Sequence, residues 1–99
     1  MSRSVLTIFC AAQDAEAISA ALRACTDVPI HLRREDVLGR DYADAGNGER
    51  VTGSLARTAI ELELAAEQVA PAVEAATRAR RRLAFRWRTT AVQDGGRVA

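Results

Sequence analysis

The sequence predicts a single α+β domain over residues 1–99, ordered β-α-β-loop-β-α-β, with an antiparallel four-stranded sheet and both helices on one face. Three observations predict it. The hydrophobic pattern switches between the two-residue period of strands and the 3.6-residue period of helices. Each of two helical stretches stands between strand-like stretches. Asp36 to Ser54, between the two halves, carries neither period and holds four of the six glycines. A chain of 99 residues has room for one hydrophobic core and no second.

The elements follow in order. Val5 to Cys10 (VLTIFC) is a continuous apolar run rich in β-formers, the pattern of a central strand covered on both faces. Gln13-Asp14 offers an N-cap, and Ile18, Ala21, Leu22 and Cys25 follow at the spacing of one helical face. Pro29 ends that helix by driving the residue before it out of the helical region. From Ile30 the period is two: Ile30 and Leu32 face one way, His31 and Arg33 the other, and the strand runs out through Arg34-Glu35 into the long loop. Ala59 to Leu64 is the clearest alternation in the chain and reads as a half-buried strand. Pro71 suits the first turn of a helix whose apolar face is Val69, Ala72, Val73 and Ala76, with Ala79 extending it toward Arg82. Leu83, Phe85, Trp87 and Thr89 then alternate with Ala84, Arg86, Arg88 and Thr90 as a fourth strand, and Gln93 to Ala99 forms a turn and a short arm.

This order is the split βαβ, or ferredoxin-like, arrangement, with the first and third strands central and the second and fourth at the edges. The helices are expected to cover Ile60, Leu62, Leu64, Leu83, Phe85 and Trp87. On the opposite face lie His31, Arg33, Glu61, Glu63, Arg86 and Arg88, and the carboxylates of the third strand neighbour His31 and Arg33 of the second, within reach of cross-strand ion pairs. Such a face is either solvated or packed against copies of itself, with Glu61 and Glu63 matched to Arg86 and Arg88 of neighbours.

Composition narrows the function. All 14 basic residues are arginine, 13 acids balance them to a formal charge of +1, and that balance gives no general attraction to nucleic acid or membrane. No apolar run is long enough for a secretory h-region or a membrane span, so a cytoplasmic protein is expected. Cys10 and Cys25 are expected at opposite ends of the first β-α unit, too far apart for a disulfide, and read as two small buried hydrophobes. An RNA-recognition sheet would need exposed aromatics where Glu61 and Glu63 stand. A metallochaperone would need a second thiol after Cys10. With one histidine and no nucleophile-base constellation, the chain is not expected to be an enzyme.

The densest positive cluster is Arg78, Arg80, Arg81 and Arg82, at a helix C-terminus where the helix dipole also favours cations. Arg81 and Arg82, with Arg97 or with Gly39 and Arg40 at the base of the long loop, form a candidate site for phosphate, bicarbonate or a nucleotide.

Taken together the chain resembles the PII-like signalling proteins, in particular a small bacterial branch of that superfamily. Leu38-Gly39-Arg40-Asp41 is similar to the F-G-R-Q opening of the PII T-loop, and Thr58 to Leu64 to the K-V-K-I-E-I strand that closes it. Val51, Gly53 and Arg57 match a V-x-G-x-x-x-R segment before that strand, and the end through Trp87 to Gly95-Gly96-Arg97 matches as well. The likeness covers nearly the whole chain, carried by element order and loop position more than by any one motif.

The resemblance implies a homotrimer whose sheets face the threefold axis, with an effector such as ATP, ADP or AMP in clefts between subunits. It also implies a loop, here carrying Asp41, Tyr42, Asn47 and Arg50, that engages a partner such as a membrane transporter or an enzyme. The chain departs from the family where Arg78 to Phe85 replaces a G-D-G-K-I phosphate loop: no glycine lets the backbone close on a phosphate, and there is no lysine. Asp41 also replaces the family glutamine, and Tyr42 does not occupy the position of the modified tyrosine. Copper-tolerance proteins of the CutA type share the architecture. An oligomeric protein linked to metal tolerance, with His31 beside Glu61 or Glu63 as ligands and no nucleotide site, is therefore the alternative.

Overall fold

The computed structural model describes residues 2–38, 55–81 and 83–99. Strand β1 (Arg3–Ala11) passes through a 3₁₀ turn (Ala12–Asp14) into helix α1 (Ala15–Cys25), followed by β2 (His31–Val37). Strand β3 (Leu55–Ala65) passes through a second 3₁₀ turn (Ala66–Gln68) into α2 (Val69–Ala79), followed by β4 (Arg86–Ala91). The sheet order is β2-β3-β1-β4 and every pairing is antiparallel. The architecture is the predicted ferredoxin-like α+β one, with both helices packed on one side of the sheet.

The core lies between that side of the sheet and the helices. Leu6, Ile8 and Cys10 of β1 and Ile60, Leu62 and Leu64 of β3 are fully or almost fully buried there, together with Ile18 and Leu22 of α1 and Ala72 and Ala76 of α2. The buried alanines of α2, Ala72 and Ala76, present a face of small residues to this core, and α2 packs closely against α1. The other face of β1 is partly covered as well: Thr7, facing away from the helices, is only 6% exposed between its neighbours on β3 and β4. That cover comes from side chains of the neighbouring strands; among the described residues no second layer packs on this face, which corrects the expectation of a strand covered on both faces. At the start of α2 the Gln68 side chain accepts a hydrogen bond from the Ala65 N–H at 3.0 Å, satisfying a donor that the helix leaves free.

Element boundaries differ from the sequence pattern in three places. β2 continues through Asp36 and Val37, which pair opposite Ala56 and Leu55, so the connection to β3 starts two residues later than the loss of period suggests. β3 begins at Leu55, four residues before its alternation does, because Arg57 and Thr58 are polar yet 5% exposed, held between β1 and β2. β4 begins at Arg86 rather than Leu83. The preceding chain is fixed elsewhere, since the Arg81 N–H donates to the Asp14 carboxylate across 67 residues, and the ladder to β1 is joined only at Phe9 opposite Arg86.

Two expected burials are corrected. Trp87 lies on the helix side of the sheet but remains 48% exposed, because β4 is an edge strand and an open hollow separates it from Val69, Ala70, Val73, Glu74 and Thr77 of α2. Cys25 is exposed at the end of α1, whereas Cys10 is fully buried. The two free thiols stand at opposite ends of the unit.

Candidate functional site

The β2–β3 connection leaves the sheet where Val37 pairs with Leu55. Three other groups gather at that end. Arg57 of β3 stands opposite Ala11 and is almost wholly buried. Asp14, 1% exposed, lies just beyond Ala11 at the start of α1. Arg81 follows α2, and its backbone N–H donates to Asp14 Oδ1 at 3.2 Å.

Asp14 therefore does not cap its own helix, as its position suggests. It makes no side-chain capping bond and instead fixes the arginine-rich segment after α2. Its second oxygen, Oδ2, is buried without a hydrogen-bond partner. Burial, and next the nearby Asp14 carboxylate, push the Cys10 thiol up to about 11, and the thiol donates to the Thr58 carbonyl at 3.6 Å. Cys10 is held in its neutral form and is a structural residue.

Of the sequence-predicted ligand residues, Arg81 is thus exposed at the end from which the β2–β3 connection departs. Arg97 is exposed in the chain end after β4, next to Gly96, which lines a hollow with Val28, Pro29 and His31 at the other end of the sheet. One subunit does not bring Arg81 and Arg97 together. Gly39, Arg40 and Arg82, and the expected partner contacts Asp41, Tyr42, Asn47 and Arg50, lie outside the described residues.

The face of the sheet away from the helices forms a grid. His31, Glu61, Thr7 and Arg88 share one cross-strand row; Arg33, Ala59, Phe9 and Arg86 share the next. Ala59 is fully buried and Phe9 half-buried in the middle, with charged side chains around them. The expected pairing within the subunit is half right. Glu61 pairs with Arg33 on the diagonal, but Glu63 is taken by Arg3 of β1, whose Nε lies 2.7 Å from Oε2. Arg3 sits at a strand end that the apolar run did not include, so the pattern could not supply this pair.

Arg88 places its guanidinium 5.0 Å from the Phe9 ring centroid, a cation–π contact. Both carboxylates near His31 are committed to arginines, and among the described residues no three histidine, cysteine or carboxylate side chains gather to hold a metal ion.

No protein-family model and no curated protein matches the chain. Solved structures do. Over 100% of this chain and 99% of its own, a DUF3240 family protein from Shewanella baltica OS155 superposes with a TM-score of 0.80 at 13% identity. A functionally unknown protein from Pediococcus pentosaceus ATCC 25745 superposes with a TM-score of 0.67 at 12% identity over 99% of both chains. A Bacillus cereus protein related to NIF3 gives 0.72 at 10% identity; it contains 97% of this chain's length in 26% of its own, so this chain spans about a quarter of that protein. The class defined by fold and comparison is a small ferredoxin-like α+β domain. Within it the neighbours are DUF3240 and NIF3-related structures, alike in fold. Among the described residues no helix is long and apolar enough to cross a membrane.

Proposed function

We propose that the chain is a PII-like regulatory protein of the cytoplasm, not an enzyme: a homotrimer that binds a small anionic effector between subunits and regulates a partner through the β2–β3 connection. The observation that carries this reading is the uncovered sheet face. Helices occupy one side only, and the other side combines a half-buried apolar centre (Val5, Phe9, Ala59) with a row of carboxylates on β3 and of arginines on β4. Such a face is self-complementary around a closed ring, where Arg86 and Arg88 of one subunit join Glu61 and Glu63 of the next, which share those contacts with their own Arg33 and Arg3.

The effector is an adenine nucleotide (ATP, ADP or AMP) or another anion. It sits at the end of the sheet where Gly39 and Arg40 begin the connection and where Asp14 anchors Arg81 beside Arg82, with Arg97 supplied by a neighbouring subunit. Regulation is then a population shift. The effector binds one state of the protein better than another and so changes how Asp41, Tyr42, Asn47 and Arg50 meet a transporter or enzyme.

Limited proteolysis tests this. Cleavage around Gly46-Asn47-Gly48 should slow at saturating ATP or ADP, and a cleavage rate indifferent to both would leave an oligomer without an effector site. The replacement of a glycine-rich phosphate loop by Arg80-Arg81-Arg82-Leu83 is what favours that second reading.

A further inference from the structure

A second opening lies on the helix side of the sheet, away from the face just described. Between α1 and the edge strand β2, α1 presents small side chains, Ala15 and Ser19 among them, and leaves an open cleft of about 780 Å³. Its far wall is β2, where Leu32 is 55% exposed.

Three polar groups in this cleft have no partner among the described residues. Arg23 and Arg34 both line it, and neither makes an ion pair or side-chain hydrogen bond among the described residues. Ser19 Oγ is sequestered from solvent without a partner. Arg34 is the most telling. It follows Ile30 and Leu32 on the core side of β2, opposite buried Thr58, where the two-residue period calls for an apolar side chain. A residue that breaks the local pattern without a compensating contact marks a site where function has overridden packing. Arg23 is accounted for in part by its place in the last turn of α1, yet it too turns toward the cleft.

The two arginines sit at different heights. Arg34 is level with Thr58 and Cys10, near where β1 gives way to α1, whereas Arg23 is eight residues along α1, about 12 Å down its axis from Ala15. Glu16 stands at the upper end beside the Arg34 wall. Its charge disfavours a doubly charged phosphate there and leaves room for a single carboxylate.

We propose that this cleft binds an elongated small molecule with a carboxylate at each end, Arg34 taking one and Arg23 the other, with the aliphatic body on Leu32. The cleft lies on the helix side between α1 and β2, shares no residue with the effector site of the preceding reading, and stands or falls without it.

Linear α,ω-dicarboxylates from succinate to sebacate are the probes, titrated into the whole protein and followed by amide and methyl chemical shifts. The expected result is saturable shifts at Ala15, Ser19 and Leu32, with affinity passing through an optimum in chain length, because the two arginines stand at different heights along the cleft. Arg34→Ala and Arg23→Ala should each weaken the best ligand roughly tenfold, a usual cost for one lost charge-assisted contact. In Arg23→Ala the dependence on chain length should vanish, so that monocarboxylates bind as well as dicarboxylates. Arg33→Ala, on the other face of the same strand, should change nothing. Affinity that ignores chain length, binding unchanged in Arg34→Ala, or no shifts at Leu32 would each overturn the assignment.

Discussion

The bond between Asp14 and the backbone of Arg81 ties the start of α1 to the segment after α2, and its contribution can be separated by two substitutions. Asp14→Ala removes the acceptor. Asp14→Asn keeps a carbonyl oxygen where Oδ1 lies and replaces the buried Oδ2, which has no partner, with a neutral group. A carboxylate-to-amide bond contributes about 1.5–3 kcal/mol, toward the lower end here because the donor–acceptor distance is 3.2 Å. Against it stands the burial of an unpartnered carboxylate oxygen, which costs about 1–3 kcal/mol.

These terms nearly cancel in Asp14→Ala relative to wild type, so the informative comparison is between the variants. Asp14→Asn should exceed Asp14→Ala by about 1–1.5 kcal/mol, the contribution of one neutral hydrogen bond, or about 4–10 °C in Tm for a domain of this size. The local readout is sharper. Exchange of the Arg81 amide should be about tenfold faster in Asp14→Ala than in Asp14→Asn, since 1.4 kcal/mol is a factor of ten. Equal Arg81 exchange in the two variants would refute the anchoring role.

Four further outcomes are expected. Leu62→Ala, which empties a position 1% exposed between β3 and the helices, should cost about 2–5 kcal/mol in denaturant unfolding, whereas Glu61→Ala, which breaks a partly solvated pair on the other face, should cost less than about 1 kcal/mol. Alkylation under native conditions at pH 8 should modify exposed Cys25 and spare Cys10. The folded Cys10 thiol, near 11 against an ordinary 9.0, keeps its proton longer than the unfolded one, so the stability it contributes is complete below pH 9 and falls by about 2–3 kcal/mol as pH rises to 11; stability flat across that window would contradict the burial. Trp87, half exposed on the helix side, should stay open to acrylamide quenching at every protein concentration, because the proposed assembly uses the other face. Protection on association would mean that the helix side is the one that packs.

The fold was legible because its signals are local. The continuous run of β1, the alternation of Ile60, Leu62 and Leu64, and the alanine-valine stripe of α2 each state a period and a face, and the topology follows from their order. What escaped the pattern depends on distant partners. Arg57 precedes the alternation that marks β3, and its burial shows only when β1 and β2 enclose it. Asp14 looks like an N-cap until the chain returns to it at Arg81. Trp87 belongs to the apolar phase of β4, but its exposure is set by the edge position of that strand and the open hollow between it and α2. The candidate site was legible only as charge: the cluster around Arg81 stands out in the sequence, while its anchor to Asp14 is a backbone contact that side-chain patterning does not encode. Arg34 was visible as a continuation of β2, and its phase, one step after Leu32 on the core side, was the available signal that it breaks the pattern.

Native mass spectrometry of the whole protein, alone and with ATP, ADP and AMP, tests the regulatory reading most directly because it reports subunit number and ligand stoichiometry in one spectrum. The account predicts a trimer without ligand that takes up as many as three nucleotides. A protein that stays monomeric at micromolar concentration, with or without nucleotide, would contradict it.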